Sequence, residues 1–463
     1  MNLWILTEER PKVEVLQMIF NQFAKDKKCG FFGDTIRIIP ILNPDMTFSF
    51  TYEVIGFKCA KVFRIYIKTV SSIYSFPDFL IFYQEKQPVV TDTPSYAIEL
   101  ATADDQCERN WGVYQRCSKF VFIKNFYPET KLIKLYTLKL DTKENPINTY
   151  IFVTRILLTL GVEIRGKVLD PILFKPFISV DDFIADINSM RGPGGNIRSI
   201  LVKKINANKI EISGYLRIGK GHLNDRTIAI LSILSSILRI LGWKGTIEIT
   251  MHRLQQEHVD STNVFFQIAN IYALRLQGLT VPKAIISENY WHYETKSEKL
   301  VTFFIHICIE NFTTGFSIFE NHASCEKGYF VTPVGDHIYV ERYPDLAAYK
   351  AGNKDSIVYI PDLILLDVDE TEAITVEGKK YINRQKGIEE LNSYDSFDTI
   401  YLKKYYPKFK IVRTVVLYGS KNECIGEIEV GFLLNECGKL VLGIRAPKLF
   451  TKAINNLLSY WNK

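Results

Sequence analysis

Two short stretches decide how this chain is read: Ile360-Pro-Asp-Leu-Ile-Leu-Leu366 and Ile374-Thr-Val-Glu-Gly-Lys379. The first is an apolar run with one acid at its start. The second reads as a strand ending in Glu-x-Lys. Side chains alternate across a strand, so Glu377 and Lys379 share one face. If the two stretches pair, Asp362 converges on both, and two carboxylates stand beside an ammonium.

A hard divalent cation such as Mg²⁺ prefers oxygen ligands, and two carboxylates plus the carbonyl between Glu377 and Lys379 would hold one with places left for water and phosphate. Such an ion acidifies an attacking water and bears charge building on phosphorus. Lys379 is placed to orient that water or to stabilise the oxyanion. Mn²⁺ or Ca²⁺ are expected substitutes for binding.

The first third of the chain carries a similar arrangement. Ser75-Phe-Pro-Asp-Phe-Leu-Ile-Phe82 again sets Pro-Asp at the head of an apolar strand, and Tyr96-Ala-Ile-Glu-Leu-Ala101 again brings an acid to a strand end. No repeat of fixed period links the two regions; what recurs is the order of elements, with Asp78 and Glu99 where Asp362 and Glu377 stand. The lysine position holds Ala101. Lys86 falls in the connecting loop, and Lys119 is expected on the far side of the following helix, so neither is expected to substitute. Helix-borne Glu14 and Glu298 are candidates for a further carboxylate at each site.

The spacing Pro-Asp followed by Glu-x-Lys resembles the PD-(D/E)xK nuclease superfamily, which includes most type II restriction endonucleases. The resemblance covers the first and last thirds of the chain through short motifs. It implies that Asp362 and Glu377 are metal ligands and Lys379 the catalytic lysine. It likewise implies that Asp78 and Glu99 are the ligands of a second site, impaired by Ala101, so that the chain nicks DNA. With the flanking polar set intact, an engineered lysine-to-alanine change explains Ala101 more readily than decay. Arg109, Asn110, Gln115, Arg116 and Lys119 match the stretch whose polar side chains face the DNA backbone in the family.

Further basic residues, Arg191, Arg198, Lys203, Lys204, Arg217, Lys220, His222 and Arg226, are interleaved with Gly192, Gly194, Gly195, Gly219 and Gly221. Glycines admit close approach of a backbone to phosphates, and Arg or Lys serve phosphates or guanine edges alike. This segment is the expected sequence reader of double-stranded DNA; an ordinary solvated face is its rival.

The remaining composition sets limits. At 463 residues the chain exceeds what one core usually serves. The expected organisation is α/β throughout: a nuclease-like domain over 1–165 and another over 288–463, each a mixed sheet flanked by helices, around an α/β middle region over 166–287. The net charge of +6 is too small to argue for a polyanionic partner by itself. Eight scattered cysteines lack zinc spacing and read as reduced thiols in a cytoplasmic protein. The apolar run 227–243 is shorter than a bilayer span and carries Arg239, so it reads as a buried helix and no membrane partner is expected. No phosphate-cradling Gly-x-x-x-x-Gly-Lys-Ser/Thr loop and no Gly-x-Ser-x-Gly elbow occurs, so neither nucleotide nor serine chemistry is expected. Two unlike sites would suit a monomer on an asymmetric sequence, with a dimer as the alternative and a cognate DNA methyltransferase as the companion activity. The rival class is a catalytically silent DNA-binding protein whose acids merely cap hairpins.

Overall fold

The computed structural model describes residues 1–42, 48–72, 76–101, 112–136, 148–189, 200–215, 218–219, 222–223, 225–258, 269–280, 289–294, 298–321, 327–353, 357–420, 430–435, 440–442 and 447–462. It is a mixed α/β protein of two compact units, one joining 1–70 with 293–463 and the other comprising 71–292. This division departs from the three consecutive segments expected from the sequence. The first third is parted near Val70, and its opening strands share a unit with the C-terminal third.

The discontinuous unit begins with β1 (Asn2–Thr7), α1 (Val13–Asp26), β2 (Phe31–Leu42), β3 (Phe48–Cys59) and β4 (Ile65–Ser71). Their order is β2-β3-β4-β1, antiparallel except for the parallel pair of β4 with β1. Helix α1 buries Val15, Leu16, Ile19, Phe20, Phe23 and Ala24, the stripe a 3.6-residue period requires. Cys29 and Cys59 are free thiols with Sγ atoms 2.8 Å apart.

In the unit 71–292 the elements are β5 (Phe79–Gln84), β6 (Tyr96–Ala101), α2 (Gly112–Phe126), β7 (Lys131–Tyr136), α3 (Asn148–Leu160) and β8 (Glu163–Arg165). The strands follow one another in space, β5 antiparallel to β6 and the rest parallel. After α4 (Val180–Ser189) come β9 (Leu201–Asn206), β10 (Lys209–Tyr215), α5 (Asp225–Ile240), β11 (Thr246–His252) and β12 (Leu274–Leu276), with strand order β12-β11-β10-β9. Helix α5 is the buried helix expected: every residue from Ile228 to Leu238 is inside, and Ser232 returns its hydroxyl to the Ala229 carbonyl at 2.7 Å. Ala273 takes a left-handed φ of 51°, and Leu274 and Leu276 are buried around exposed Arg275, a period of two that suits a strand beside β11.

The C-terminal part returns to the first unit with α6 (Lys299–Phe312), β13 (Phe316–Glu320), β14 (Lys327–Val331), β15 (His337–Glu341), β16 (Leu363–Asp367), β17 (Glu372–Lys380), α7 (Arg384–Leu391), β18 (Lys410–Ser420), β19 (Val430–Asn435), β20 (Leu440–Leu442) and α8 (Lys448–Trp461). One sheet runs β13-β16-β17-β18-β19-β20. Strands β14 and β15 form a hairpin, because Pro333 and Gly335, the latter at φ 87°, turn the chain between them. After α7 the chain runs on to Tyr405 in short helical turns. Those turns still bury Tyr394, Phe397, Tyr401, Leu402 and Tyr406. Helix α6 is buried almost throughout, polar Thr302 and His306 included, as befits an interior helix. Among the described residues no helix is long and apolar enough to cross a membrane.

Candidate active site

Strands β16 and β17 pair antiparallel with Leu363 opposite Val376, which sets Asp362 beside the end of β17. The Asp362 Oδ2 accepts the backbone N–H of Gly378 at 2.9 Å, while Oδ1 accepts no hydrogen bond from the described residues. Glu377 is nearly sealed and engaged at both oxygens: Lys379 Nζ donates to Oε1 and the Tyr394 hydroxyl to Oε2. Lys379 also pairs with Glu390 of α7 at 2.8 Å. Glu298, just ahead of α6, accepts the Lys380 N–H at 3.1 Å and the Asn383 amide at 3.3 Å, and its charge reaches Asp362. Asp362, Glu377 and Lys379 thus lie together where β16 and β17 pair, with Glu298 beside them. Glu390 and Tyr394 carry no local signal that singles them out; only the fold of 384–394 over β17 brings them in.

Close packing makes this possible. A Cβ on Gly378 would lie 2.7 Å from Thr302 Cγ2 and 3.3 Å from Asp362 Oδ2, so glycine lets α6 and the Asp362 carboxylate meet the strand. A Cβ on Gly387 would lie 2.8 Å from Lys379 Cγ, so a second glycine lets α7 rest on the lysine stem.

Electrostatics follow from the crowding. Burial raises the Asp362 carboxyl to about 6 despite the Gly378 N–H and Lys379. Burial and the neighbouring Asp362 charge push Glu377 up to about 8, against the pull of Lys379 and Tyr394. For Lys379 burial acts against the charge, but Glu377 and Glu390 outweigh it and hold the ammonium above its ordinary range. Burial, then the charge and hydrogen bond of Glu377, drive the Tyr394 hydroxyl upward, so it stays a donor. Asp362, Glu377 and Glu390 outnumber the one ammonium among them. That surplus of carboxyl oxygens is the donor chemistry a hard cation fits. Among the described residues, no group of three His, Cys, Asp or Glu side chains is arranged to hold a metal. A cation here would therefore rest on the two carboxylates, the Gly378 carbonyl and water.

The second pair lies in the other unit and shares the local geometry. Phe79 stands opposite Ile98, the same offset from Asp78 and Glu99 as Leu363 and Val376 have from Asp362 and Glu377. Asp78 Oδ2 accepts the N–H of Leu100, the residue after Glu99, at 2.5 Å. Beyond each second strand comes a parallel third: Glu377 neighbours Val415 on β18, and Glu99 neighbours Lys134 on β7.

The expectation that no lysine reaches Glu99 is overturned. Lys119 Nζ lies 2.8 and 2.9 Å from the two Glu99 oxygens. Around it on α2 Cys117, Ser118, Phe120, Val121, Phe122 and Ile123 are all buried, and the partly buried Lys119 turns to the carboxylate. Ala101 itself is fully buried.

Other expected site residues are dispersed. Glu14 is exposed in the first turn of α1, in a different unit from Asp78 and Glu99, with its charge felt by Arg10. Lys203 and Lys204 are exposed on β9, Lys204 paired with Asp181 at 3.1 Å. Arg109, Asn110, Arg191, Arg198, Arg217 and Lys220 lie outside the described residues, as do the side chains of Gln115, Arg116, His222 and Arg226. Comparison of the chain with protein-family models, with curated proteins and with solved structures finds no match.

Proposed function

We propose that this protein is a Mg²⁺-dependent endonuclease of the restriction type, acting on double-stranded DNA at Asp362, Glu377 and Lys379. The observation that carries the reading is the convergence of two buried carboxylates and an ammonium on neighbouring strands, with more acid than base around them.

The chemistry a bound Mg²⁺ supplies is acidification of a water and neutralisation of charge on the phosphate. Asp362, Glu377 and the Gly378 carbonyl would hold it. Lys379 is held protonated by Glu377 and Glu390, so it acts as a donor toward the phosphate oxygens and not as a base. Tyr394 and Glu390 fix Glu377 and Lys379 in place by hydrogen bond and ion pair. In the reaction the water oxygen bonds to phosphorus as the bond to the leaving sugar oxygen breaks. One water proton departs to solvent, and the leaving oxygen takes one up.

The test is incubation with Mg²⁺ and a panel of supercoiled plasmids of diverse sequence. Open-circular or linear product that EDTA suppresses and that yields discrete fragments is expected. DNA retained without any cleavage would make the protein a binder and end this reading.

A further inference from the structure

We infer that Lys119 takes the place of the lysine missing at position 101, so that Asp78, Glu99 and Lys119 form a second complete hydrolytic constellation in the unit 71–292. The inference rests on the nuclease reading above and departs from the expectation that this site is impaired.

Three observations carry it. First, the carboxylate pair is built as in the other unit, with identical strand offset and the same hydrogen bond from the residue after the glutamate to the aspartate. Second, the ammonium sits against the glutamate in both places, although it comes from the strand in one and from α2 in the other. Third, accessibility matches: side-chain exposure is 19% for Lys119 over 2% for Glu99, against 12% for Lys379 over 6% for Glu377. Lys134 stands opposite Glu99 on the neighbouring strand but is sealed at 1% exposure, so it does not meet a substrate. A lysine anchored seven or more residues along the next helix delivers the same group to the same carboxylate, because four methylenes reach from either backbone. The bond exchange at phosphorus is the one written for the first site.

The test reads nicking of supercoiled plasmid by full-length variants, with melting temperature in EDTA as a record of folding. In Lys379→Ala, nicking by the second site should remain. Adding Lys119→Arg, which keeps the ion pair to Glu99, should leave melting nearly unchanged and lower that nicking on the order of a hundredfold. Adding Lys119→Ala should abolish nicking and lower the melting temperature, and Ala101→Lys in that background should restore part of both. If Lys379→Ala is inert while the unaltered chain cuts, or if its nicking is indifferent to Lys119→Arg, the inference is overturned and the first site stands alone. An unaltered chain that cuts nothing overturns this inference and the nuclease reading together.

Discussion

The two carboxylate sites share a backbone plan and differ in charge. In the unit that joins both chain ends, strand β17 supplies Glu377 and Lys379, and the following helix adds another acid, Glu390. In the unit 71–292, strand β6 supplies Glu99 alone, the following helix adds Lys119, and β7 adds the buried Lys134. Among the described residues the first site gathers more carboxylate around its ammonium than the second. The aspartate-to-N–H hydrogen bond and the strand register are set by backbone geometry and so survive side-chain change. The source of the ammonium is not bound in that way.

The largest effect that sharpens this comparison is on cleavage. In a chain already carrying Glu99→Gln, so that only the first site is read, Glu377→Gln should slow plasmid cleavage by roughly 10³-fold, the scale for losing one charged participant. Steady cleavage after both changes would detach the activity from these acids.

A second effect separates surplus charge from balanced charge inside one unit. Arg10, with its side chain 8% exposed, pairs with Glu310 at 2.7 Å and with Glu320 at 3.2 Å, and buried His306 lies 2.9 Å from Glu310. Ser317 also bonds Glu310 at 3.1 Å, and Lys12 lies 3.4 Å from Glu320. Burial alone would raise Glu310, but His306 and Arg10 overcome it and lower the carboxyl to about 2. A folded-state value below the unfolded one gives stability that is present above about 4.5 and lost as pH falls toward about 2. The loss is on the order of 3 kcal/mol. Acid titration of melting should show it, and Glu310→Gln should flatten that part of the curve. An unaltered curve would show that the network contributes nothing in acid.

Packing gives a smaller effect. Gly378→Ala forces a methyl against Thr302 and Asp362 and should cost ~1–3 kcal/mol by denaturant melting, together with much of the first site's cleavage. The equivalent position of the second site already holds a side chain, Leu100, so Leu100→Ala should leave its fold nearly unchanged. Equal costs at both positions would break the comparison.

The smallest effect concerns cation affinity. Calorimetric titration with Ca²⁺ should find the first site tighter than the second by about tenfold, ~1.4 kcal/mol, because the first has Glu390 as a further acid and the second does not. Asp362→Asn should remove the tighter phase and Asp78→Asn the weaker. The reverse order would mean that surplus carboxylate does not set affinity here.

What the sequence determined by itself was local. Pro361-Asp362 at the head of an apolar run, Glu377 and Lys379 two residues apart, and their counterparts around Asp78 and Glu99 follow from strand alternation, and the observed registers agree with it. The stripe of α1 and the buried run of α5 are legible for the same reason, since helical periodicity is written into neighbouring residues. Tertiary structure alone decided which distant groups complete each site. Glu390 and Tyr394 arrive through a broken helical segment, and Lys119 turns to Glu99 from a stretch of α2, Cys117 to Ile123, whose other side chains are buried. The union of residues 1–70 with 293–463 was likewise beyond local reading. Side-chain direction and long-range packing depend on what covers each element, and a stretch of sequence records its own periodicity but not its cover.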